Sequence, residues 1–401
     1  GGGANRALSS SSNGLEKRPA LSFRDDCGRE FPSWHRTTLG TIIEPYSEKV
    51  HGEHDFEVLT SSREGLQRQI DHFGSQQRHD TDGYNIIPLG FCTYRNRSDD
   101  GRFTFNINKI SDKAIVSKFY PVFRFKNANS TFMTEYLNSS ARARKKLSVL
   151  AVGTSQVVLS FEALKSAKFD LPCKEEQDKI ASLLECLNER VELQRSFVDA
   201  LKKYKRGLLS NLFGEKITQG CTTKSYYFSE IAQRRSEKYD PTSGIEYPCV
   251  ELENIEQETG KILSTVPSTA QSSIKNIAKS GDTLFGKLRP YLRKYAFAQK
   301  TMACSSEIWA LIPSDAVLPK FLFYLVQTEQ FLRVANISSG TKMPRAEWSN
   351  IEKTEFFIPD PFVQRKVVSL LEGLDQKITF ADSALFSLNR LKASLMQQLF
   401  I

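Results

Sequence analysis

The segment 171–213 occurs twice in this chain, because it aligns without a gap on residues 358–400 after a shift of 187 positions. Gln177 matches Gln364 in this alignment, and both copies end in Leu-Phe. A self-match of this length indicates an internal duplication. The chain is therefore expected to consist of two comparable halves.

Each copy carries apolar residues in a heptad pattern that continues over about five repeats, which is typical of a coiled coil. Proline precedes each helix and is absent from the rest of it, so each copy predicts one helix of roughly 38 residues, or about 57 Å. An ordinary core helix is the alternative, but it is usually far shorter. The predicted seam residues are Ile180, Leu184, Leu187, Val191, Leu201, Leu208, Val367, Leu371, Leu374, Ile378, Leu388 and Leu395.

The segments between the helices are rich in aromatic and β-branched residues with frequent turn signals, which predicts short strands joined by turns. Helices are expected near residues 62–73 and 131–146. The fold class is therefore α+β: two globules and two long repeated helices, which a pseudo-two-fold axis pairs as an antiparallel coiled coil with the globules at opposite ends. The predicted boundaries are a disordered leader at 1–14, globules at 15–170 and 218–357, and helices at 171–217 and 358–401.

The cysteines and the hydropathy of the chain bear on its compartment. Its seven cysteines are scattered and never spaced Cys-x-x-Cys, which favours reduced thiols of a cytosolic protein over disulfides or a zinc site. No apolar run approaches the ~18 residues that a membrane span requires. A cytoplasmic location is expected.

Lys and Arg exceed Asp and Glu by 9, and the excess lies mainly in residues 84–126 and 281–300, where Tyr and Phe are interleaved. Cations that neutralise phosphates, together with polar groups on turns, are typical of DNA-binding surfaces. A solvated basic face is the alternative. The predicted DNA-binding residues are Tyr94, Arg95, Arg97, Lys118, Lys287, Arg289, Arg293, Lys342 and Arg345.

Catalytic signatures are mostly missing from the sequence. Residues 281–287 have the Gly-x4-Gly-Lys outline of a phosphate loop, but Leu288 stands where Ser or Thr is needed to hold magnesium. His51 and His54 lack the helical spacing of a zinc protease. We therefore predict no catalytic residue, no metal ligand and no cofactor on this chain.

The sequence as a whole resembles the specificity (S) subunits of Type I restriction-modification systems, and the resemblance extends from about Pro19 to Ile401. It depends mainly on the two matched repeats, which begin Leu-Pro-x4-Gln-x-Lys-Ile-Ala-x-Leu-Leu at 171 and Ile-Pro-x4-Gln-x-Lys-Val-Val-x-Leu-Leu at 358. The run 339–345, Ser-Gly-Thr-Lys-Met-Pro-Arg, is also family-like. In the first half, Gly153-Thr154 continues without Met-Pro-Arg.

The resemblance implies two target-recognition domains, each recognising one half of a bipartite DNA sequence, on a helical spacer that docks two methyltransferase subunits. It also implies that S-adenosylmethionine, ATP and magnesium bind to the partner methyltransferase and restriction subunits. Two other functions remain open at this point. They are a self-sufficient DNA-modifying enzyme and a coiled-coil scaffold that does not bind DNA.

Overall fold

The computed structural model describes residues 19–63, 65–73, 80–214, 222–337 and 343–400. The chain divides into two compact units. Unit 1 contains the chain up to Leu193 together with the segment from Leu385 onward, and unit 2 contains Gln194–Ala384. The predicted leader, Cys221 and Lys342 lie outside the described residues.

Within the described residues, the globule of unit 1 contains twelve strands. They are β1 (His35–Thr38), β2 (Ile43–Tyr46), β3 (Glu57–Ser62), β4 (Gly65–Arg68), β5 (Asn85–Ile86), β6 (Cys92–Tyr94), β7 (Arg97–Ser98), β8 (Phe105–Ile107), β9 (Ala114–Val116), β10 (Val122–Phe125), β11 (Val157–Val158) and β12 (Lys168–Leu171). Two four-stranded sheets have the orders β2-β10-β6-β8 and β4-β3-β9-β5, and β1 pairs with β12 and β7 with β11.

Four short helices accompany these strands: α1 (Gln69–Phe73), α2 (Ser130–Ser139), α3 (Ala141–Leu150) and α4 (Phe161–Ser166). The helix predicted near 62–73 is wrong, because β4 pairs with β3 over Gly65–Arg68 and leaves only the five residues of α1. The helix predicted over 131–146 is divided at Ser140, whose extended backbone ends α2 and whose side chain accepts a hydrogen bond from the Ala143 amide at the start of α3.

The globule of unit 2 contains the next eleven strands of the chain, again counted over the residues that the structure describes. They are β13 (Thr223–Tyr227), β14 (Ala232–Arg234), β15 (Lys238–Tyr239), β16 (Pro248–Val250), β17 (Val266–Pro267), β18 (Lys275–Ala278), β19 (Thr283–Gly286), β20 (Tyr295–Phe297), β21 (Met302–Cys304), β22 (Ile308–Pro313) and β23 (Glu355–Pro359). One sheet has the order β14-β22-β19-β20, a second the order β15-β18-β21-β16-β17, and β13 pairs with β23. Helices α6 (Phe228–Ile231), α7 (Pro319–Leu325), α8 (Glu329–Ala335) and α9 (Trp348–Ile351) complete this globule.

The two long helices form as the repeat predicted: α5 is Lys174–Phe213 with 40 residues, and α10 is Pro361–Leu399 with 39 residues. Proline at the first position of α10 is tolerated because that amide has no partner within the helix. The Asp360 carboxylate accepts hydrogen bonds from the amides of Phe362 and Val363, at 2.9 and 3.1 Å, and so caps the first turn.

Within each unit the two helices lie antiparallel. In unit 1, the residues at the start of α5 and at the end of α10, such as Leu184 and Leu399, are buried in one core. In unit 2, Lys205 pairs with Asp375 at 2.7 Å and Lys202 with Asp382 at 3.4 Å, so the chain direction of α10 opposes that of α5. The twelve predicted seam residues are all buried or half-buried.

The seam of α5 is interrupted at Gln194, and the structure shows why this residue is tolerated there. The Gln194 side-chain amide donates to the carbonyl oxygen of Ala381 on α10 at 3.0 Å. Gln194 and Ala381 are 187 residues apart and therefore occupy matching positions in the two repeats. Their contact joins α5 to α10 within unit 2.

The duplication extends to the docking of each long helix on its globule. Gln177 and Gln364 are both buried, and each donates from Nε2 to the carbonyl of the proline five residues earlier, at 2.9 Å. The Oε1 of Gln177 accepts from the Asn129 amide at 2.9 Å, and that of Gln364 from the Leu318 amide at 2.8 Å. Asn129 and Leu318 precede α2 and α7. The second of these hydrogen bonds therefore holds each long helix to the equivalent helix of its globule, and the first fixes the turn that leads into the long helix.

A second polar contact at this junction differs between the units. In unit 2, the Tyr324 hydroxyl donates to Asp375, which also pairs with Lys205. Burial, with Asp375 as a further cause, raises the pKa of Tyr324 above its usual range. In unit 1, the matching positions are Glu135, Asn188 and Lys392, so the carboxylate lies on the globule instead of on the long helix. The Asn188 side-chain amide donates to the Glu135 carboxylate at 3.2 Å, and the Lys392 ammonium lies 3.9 Å from the same carboxylate.

Candidate nucleic-acid interface

The two basic stretches predicted to bind DNA lie in equivalent loops of the two globules. Residues 95–104 connect β6 to β8, and residues 287–294 connect β19 to β20. In each globule the two connected strands are neighbours at the same edge of the matching sheet. Arg95 and Arg97 are exposed in the first loop. Arg289 is exposed in the second, and Lys287 is half-buried. The structure therefore places the predicted arginines at one recurring position of the fold.

A second segment lies beside each of these loops. In unit 1, Arg97 of β7 pairs with Val158 of β11. In unit 2, Leu288 pairs with Arg345, and the Arg289 amide donates to the Pro344 carbonyl at 2.8 Å. Arg345 is thereby brought next to Lys287 and Arg289. Lys342, predicted to belong to this group, lies outside the described residues.

An exposed aromatic ring anchors the basic group of unit 1. Phe119 is 54% exposed, the Arg97 guanidinium lies 5.5 Å from its ring centroid, and the Lys118 ammonium lies 5.7 Å from it. Cations at this distance from a ring are attracted to its face. Three side chains that can contact phosphates and stack on bases are thus grouped, although Phe119 itself was not among the predicted residues.

Tyr94 was predicted to contact DNA, and the structure shows that this prediction is wrong. Its side chain is 0% exposed and stacks on Phe105 with ring centroids 4.9 Å apart. Its hydroxyl donates to the carbonyl of Leu159 at 3.0 Å, and burial raises the pKa of that hydroxyl above its usual range. Tyr94 is a core residue of β6, an inner strand of its sheet whose three residues are all buried.

Two of the predicted arginines of unit 2 are engaged by carboxylates. The Arg293 guanidinium forms two hydrogen bonds with Glu329, at 2.7 and 3.2 Å, and lies 3.6 Å from Glu258. Arg345 pairs with Glu307 at 3.1 Å and is half-exposed. Arg293 is therefore half-buried and engaged by two surface carboxylates, whereas Arg345 pairs with one and keeps an accessible face.

The turn between β19 and β20 is shaped by two residues with left-handed backbone. Arg289 and Arg293 both have φ of 51°, a conformation that is uncommon outside glycine. They flank a single helical turn over Pro290–Leu292, in which Tyr291 is 54% exposed. Backbone strain of this kind is found where surrounding contacts impose it, and in this turn the bidentate pairing of Arg293 and the Arg289–Pro344 hydrogen bond do so.

A polar groove on unit 2 was not predicted from the sequence. It encloses about 510 Å³ and is lined by Arg234, Lys238, Asn276 and Lys287, among others. The Arg234 guanidinium lies 4.8 Å from the Trp348 ring and 6.0 Å from the Trp309 ring. Arg, Lys and Asn are side chains that contact base edges and phosphates. The run Gln-Arg-Arg-Ser-Glu-Lys at 233–238 was the available signal, but only folding brings Trp309 and Trp348 to it.

The phosphate-loop outline at 281–287 has a structural role instead. Gly281 has φ of 95° in the turn between β18 and β19, and residues 283–286 of the motif form β19. Asp282 is buried and accepts two hydrogen bonds from Arg235, at 2.6 and 2.9 Å. The hydrogen bonds to Asp282 raise the pKa of Arg235, and this ion pair fixes the turn.

The described part of the chain contains neither a metal-binding cluster nor a membrane-spanning helix. No group of three or more His, Cys, Asp or Glu side chains in this part of the chain is placed to hold a metal ion. None of the helices that the structure describes is long and apolar enough to cross a lipid bilayer.

Comparison with known proteins gives a family match over most of the chain. The sequence model of the Type I restriction modification DNA specificity domain matches residues 54–202 and 228–384. The HindI specificity subunit of a Type I restriction enzyme from Haemophilus influenzae is 26% identical over 198 residues, which are 44% of this chain and 40% of that relative. The chain therefore matches less than half the length of this curated relative.

Solved structures with a similar fold cover nearly the whole chain. The Type I restriction-modification S subunit from M. genitalium superposes with a TM-score of 0.57 at 16% identity, over 96% of this chain and 99% of that one. A chain from a structure on complex assembly and conformational transition of the type I R-M system superposes with a TM-score of 0.55 at 16% identity, over 92% and 98%. At these identities the likeness concerns the fold.

Proposed function

Because the chain belongs to the family of Type I restriction modification DNA specificity domains, we propose that it is the non-catalytic DNA-recognition subunit of a Type I restriction-modification complex. Each globule recognises one half of a bipartite DNA target. S-adenosylmethionine, ATP and magnesium bind to partner subunits, and the complex acts on DNA in the cytoplasm. The self-sufficient enzyme and the scaffold without DNA binding have no observation in their favour.

One observation supports DNA recognition most directly: basic side chains recur in the equivalent loops of both globules, and further cations and an exposed aromatic ring lie beside them. In unit 1 this group is Arg95, Arg97, Lys118 and Phe119, and in unit 2 it is Lys287, Arg289 and Arg345 with Tyr291. A bipartite target needs two recognition surfaces, and a duplicated fold provides them at equivalent positions. We infer that Arg97 and the side chains of the groove around Arg234 contact base edges, whereas the other cations of these groups contact phosphates.

The long helices supply a candidate docking surface for the partners. In unit 2, the side chains of Tyr204 on α5 and Phe380 on α10 are exposed. In unit 1, the repeat position of Tyr204 is Leu391 and that of Phe380 is Leu193, and both are exposed as well. Both pairs are separated by 187 residues. Exposed apolar patches mark interaction sites, and the recurrence of these side chains at repeat positions supports such a role here. Since the surface occurs once per unit, we infer that each copy docks one methyltransferase subunit.

The DNA-recognition proposal is tested by combining the purified chain with partner methyltransferase subunits. Methylation mapping is expected to give one bipartite sequence, and binding of that duplex is expected to weaken steeply with salt because Lys and Arg displace counterions. The chain alone, supplied with S-adenosylmethionine, magnesium and ATP, is expected neither to methylate nor to cut DNA. Turnover by the purified chain would overturn the non-catalytic assignment.

Docking is tested separately with Tyr204→Asp and Leu391→Asp, one in each unit. Each single variant is expected to retain one methyltransferase subunit and the double variant none, as measured by light scattering of the mixed complex. Lys203→Asp, which changes an exposed neighbour of Tyr204, is the matched control. Full occupancy of the double variant would place the partners elsewhere.

A further inference from the structure

The antiparallel pair β7–β11 of unit 1 presents one polar face to solvent. Arg97 pairs with Val158 and Ser98 with Val157. Ser98 is 8% exposed, whereas Arg97 before it and Asp99 after it are exposed, since successive side chains of an extended segment lie on opposite faces. A two-stranded ribbon is narrow enough to enter the major groove of DNA. The outward face of this pair is therefore a candidate for contact with base edges.

The two loops at one end of this pair are held in fixed positions. In the loop after β7, the Asp100 carboxylate accepts hydrogen bonds from the Ser98 hydroxyl at 2.9 Å and from the Arg63 guanidinium at 2.6 Å. In the loop before β11, Gly153 has φ of 139°, and a Cβ atom there would lie 2.2 Å from the carbonyl oxygen of Gln156. Loops held in this way lose little conformational freedom when they bind a partner.

A side-chain hydrogen bond joins these two loops. Nε2 of Gln156 donates to the Asp99 carboxylate at 3.0 Å, and both side chains are exposed. Because an ionised carboxylate only accepts hydrogen bonds, the Gln156 amide must turn its nitrogen towards Asp99. The second N–H of Nε2 and the Oε1 atom make no further hydrogen bond among the described residues. Gln156 therefore offers one donor and one acceptor to a ligand.

Adenine is the base that matches these two groups. Its major-groove edge carries the acceptor N7 beside the donor N6, and the side-chain amide of glutamine can bind both at once. Nε2 of Gln156 carries two hydrogens, so one can stay on Asp99 while the other binds N7. In this arrangement Gln156 touches the base, and Asp99 is a positioning residue that keeps the amide turned the right way.

Arg97 lies on the same face and supplies a second base contact. Its guanidinium, 5.5 Å from the centroid of the Phe119 ring, can bind O6 and N7 of guanine together. Residues two apart on an extended segment are separated by about 6.6 Å, and base pairs by roughly 3.4 Å along the duplex. Since Gln156 is bonded to Asp99, two residues after Arg97, the two base contacts are expected within about two base pairs of each other.

The second globule has different groups at the repeat positions. The counterpart of Gln156 is Met343, which is 49% exposed, and that of Val158 is Arg345. A thioether cannot donate a hydrogen bond, so Met343 is unable to bind N7 of adenine. The amide is thus particular to unit 1, and the two globules are expected to select different bases at this position.

We propose that Gln156 is a specificity-determining residue of the first globule, which reads one adenine in the major groove through N6 and N7 while Asp99 orients its amide. This assignment rests on the proposed DNA-recognition function and names one base of one half-site. Contact of Asp99 itself with the N4 amine of a cytosine is the competing outcome, because a carboxylate can accept that hydrogen bond.

The test uses the chain in complex with partner methyltransferase subunits and duplexes of the mapped bipartite target, in which the adenines of both strands are replaced one at a time by 7-deazaadenine. This base pairs as adenine does but lacks N7. At one position in one half-site, the replacement is expected to weaken binding about tenfold, as for loss of one hydrogen bond. In Gln156→Met the same position is expected to become insensitive to the replacement, while all other positions respond as before. Gln257→Met, at an exposed position of the second globule, is the control and is expected to behave like the unchanged chain.

Asp99→Asn separates orientation from charge. The new amide can also donate to Oε1 of Gln156, so the preference for adenine over 7-deazaadenine at that position is expected to fall. Removal of the negative charge is expected to raise the affinity for unrelated duplexes at low salt. A chain that was only destabilised would lose affinity for both kinds of duplex.

The proposal is wrong if no adenine of either half-site responds to the replacement, or if the responding position stays as sensitive in Gln156→Met. It is also wrong if Asp99→Asn removes a preference for cytosine instead. Absence of any sequence preference in the complex would overturn the DNA-recognition function together with this assignment, so the two failures are distinguishable.

Discussion

At the scale of single residues, the proposed DNA surface combines side chains with different expected roles. Arg234, held over Trp348, and Arg97, held over Phe119, are oriented by their aromatic neighbours. Lys287 lies beside Arg345 on the second globule. An oriented guanidinium can make a bidentate contact with a base, whereas a single ammonium acts mainly as a point charge.

We predict that Arg97→Ala and Arg234→Ala each cost about 1–3 kcal/mol of binding free energy at one base position and relax the sequence preference there. Lys287→Ala is expected to weaken binding of all sequences and to lower the salt slope by about one. Competition binding with single-base variants of the target, repeated over a salt series, measures both effects. Lys353→Ala removes an exposed charge outside these groups and is the control. The assignment fails if the three variants behave like that control.

The cysteines allow a second prediction at this scale. Burial raises the pKa of Cys92 and Cys304 to about 12 and that of Cys249 to about 11, whereas Cys27 and Cys186 are exposed. At pH 9, iodoacetamide is expected to label the two exposed thiols in the native chain and the three buried ones only after unfolding, as read by mass spectrometry. Rapid native labelling of Cys92 would contradict its burial.

The same shifts predict the direction of a pH effect. Below the ordinary thiol pKa of about 8.5, the buried thiols are protonated in both states and add no pH dependence. Above it the unfolded thiols lose protons while the folded ones keep them, so the free energy of unfolding falls as pH rises from about 9 towards about 12. Replacing Cys304 by Ala is expected to reduce this slope.

At the scale of elements, each globule is held to the long helices by a repeated pattern with one changed contact. Gln177 and Gln364 make the same hydrogen bonds in the two units. The neighbouring ion pair differs, because Lys205 is 8% exposed and lies 2.7 Å from Asp375, whereas its repeat counterpart Lys392 is 28% exposed and lies 3.9 Å from Glu135. The ammonium in unit 2 is therefore more strongly coupled to its junction.

This asymmetry predicts unequal effects of the same substitution. Lys205→Met leaves Asp375 without its cation and is expected to lower the free energy of unfolding of unit 2 by about 1–3 kcal/mol. This loss is smaller than that for breaking a fully buried ion pair, because the Asp375 carboxylate remains partly exposed to solvent. Lys392→Met is expected to cost at most about 1 kcal/mol. Urea unfolding monitored by tryptophan fluorescence measures this, since Trp309 and Trp348 report on unit 2 and Trp34 on unit 1. Equal effects in both units would contradict the contrast in burial.

At the scale of the whole molecule, α5 joins the first globule to the second along the chain, and the sequence predicts that the long helices set the gap between the two DNA half-sites. Four residues inserted after Arg195 add about 6 Å of rise and rotate the helix ~40° beyond a full turn. Such a stutter disturbs a heptad seam locally without ending the helix.

We predict that this insertion lengthens the gap by one or two base pairs, at roughly 3.4 Å each, and leaves both half-site sequences unchanged. Methylation mapping with partner subunits measures both properties. The same insertion after Gly244, in an exposed turn between β15 and β16, is expected to leave the gap as it was. Altered half-sites with an unchanged gap would show that the helices are not the ruler.

By itself, the sequence determined the internal repeat, the two long helices and their apolar seam, because heptad spacing and proline placement are local features that a helix expresses directly. It also located the basic loops, since charged side chains that are clustered in the sequence mostly stay at the surface after folding. The family resemblance, confirmed by the match over 54–202 and 228–384, rests on the same repeated motifs.

Only the tertiary structure decided which side chains face solvent and which groups meet. Tyr94 and Arg97 are three residues apart in one basic stretch, yet one is buried and the other exposed, because β6 is an inner strand of its sheet whereas β7 belongs to the two-stranded β7–β11 sheet. Likewise, Arg234 reaches Trp348 through a contact between segments far apart in the chain. Long-range packing sets these relations, and no local pattern in the sequence encodes them.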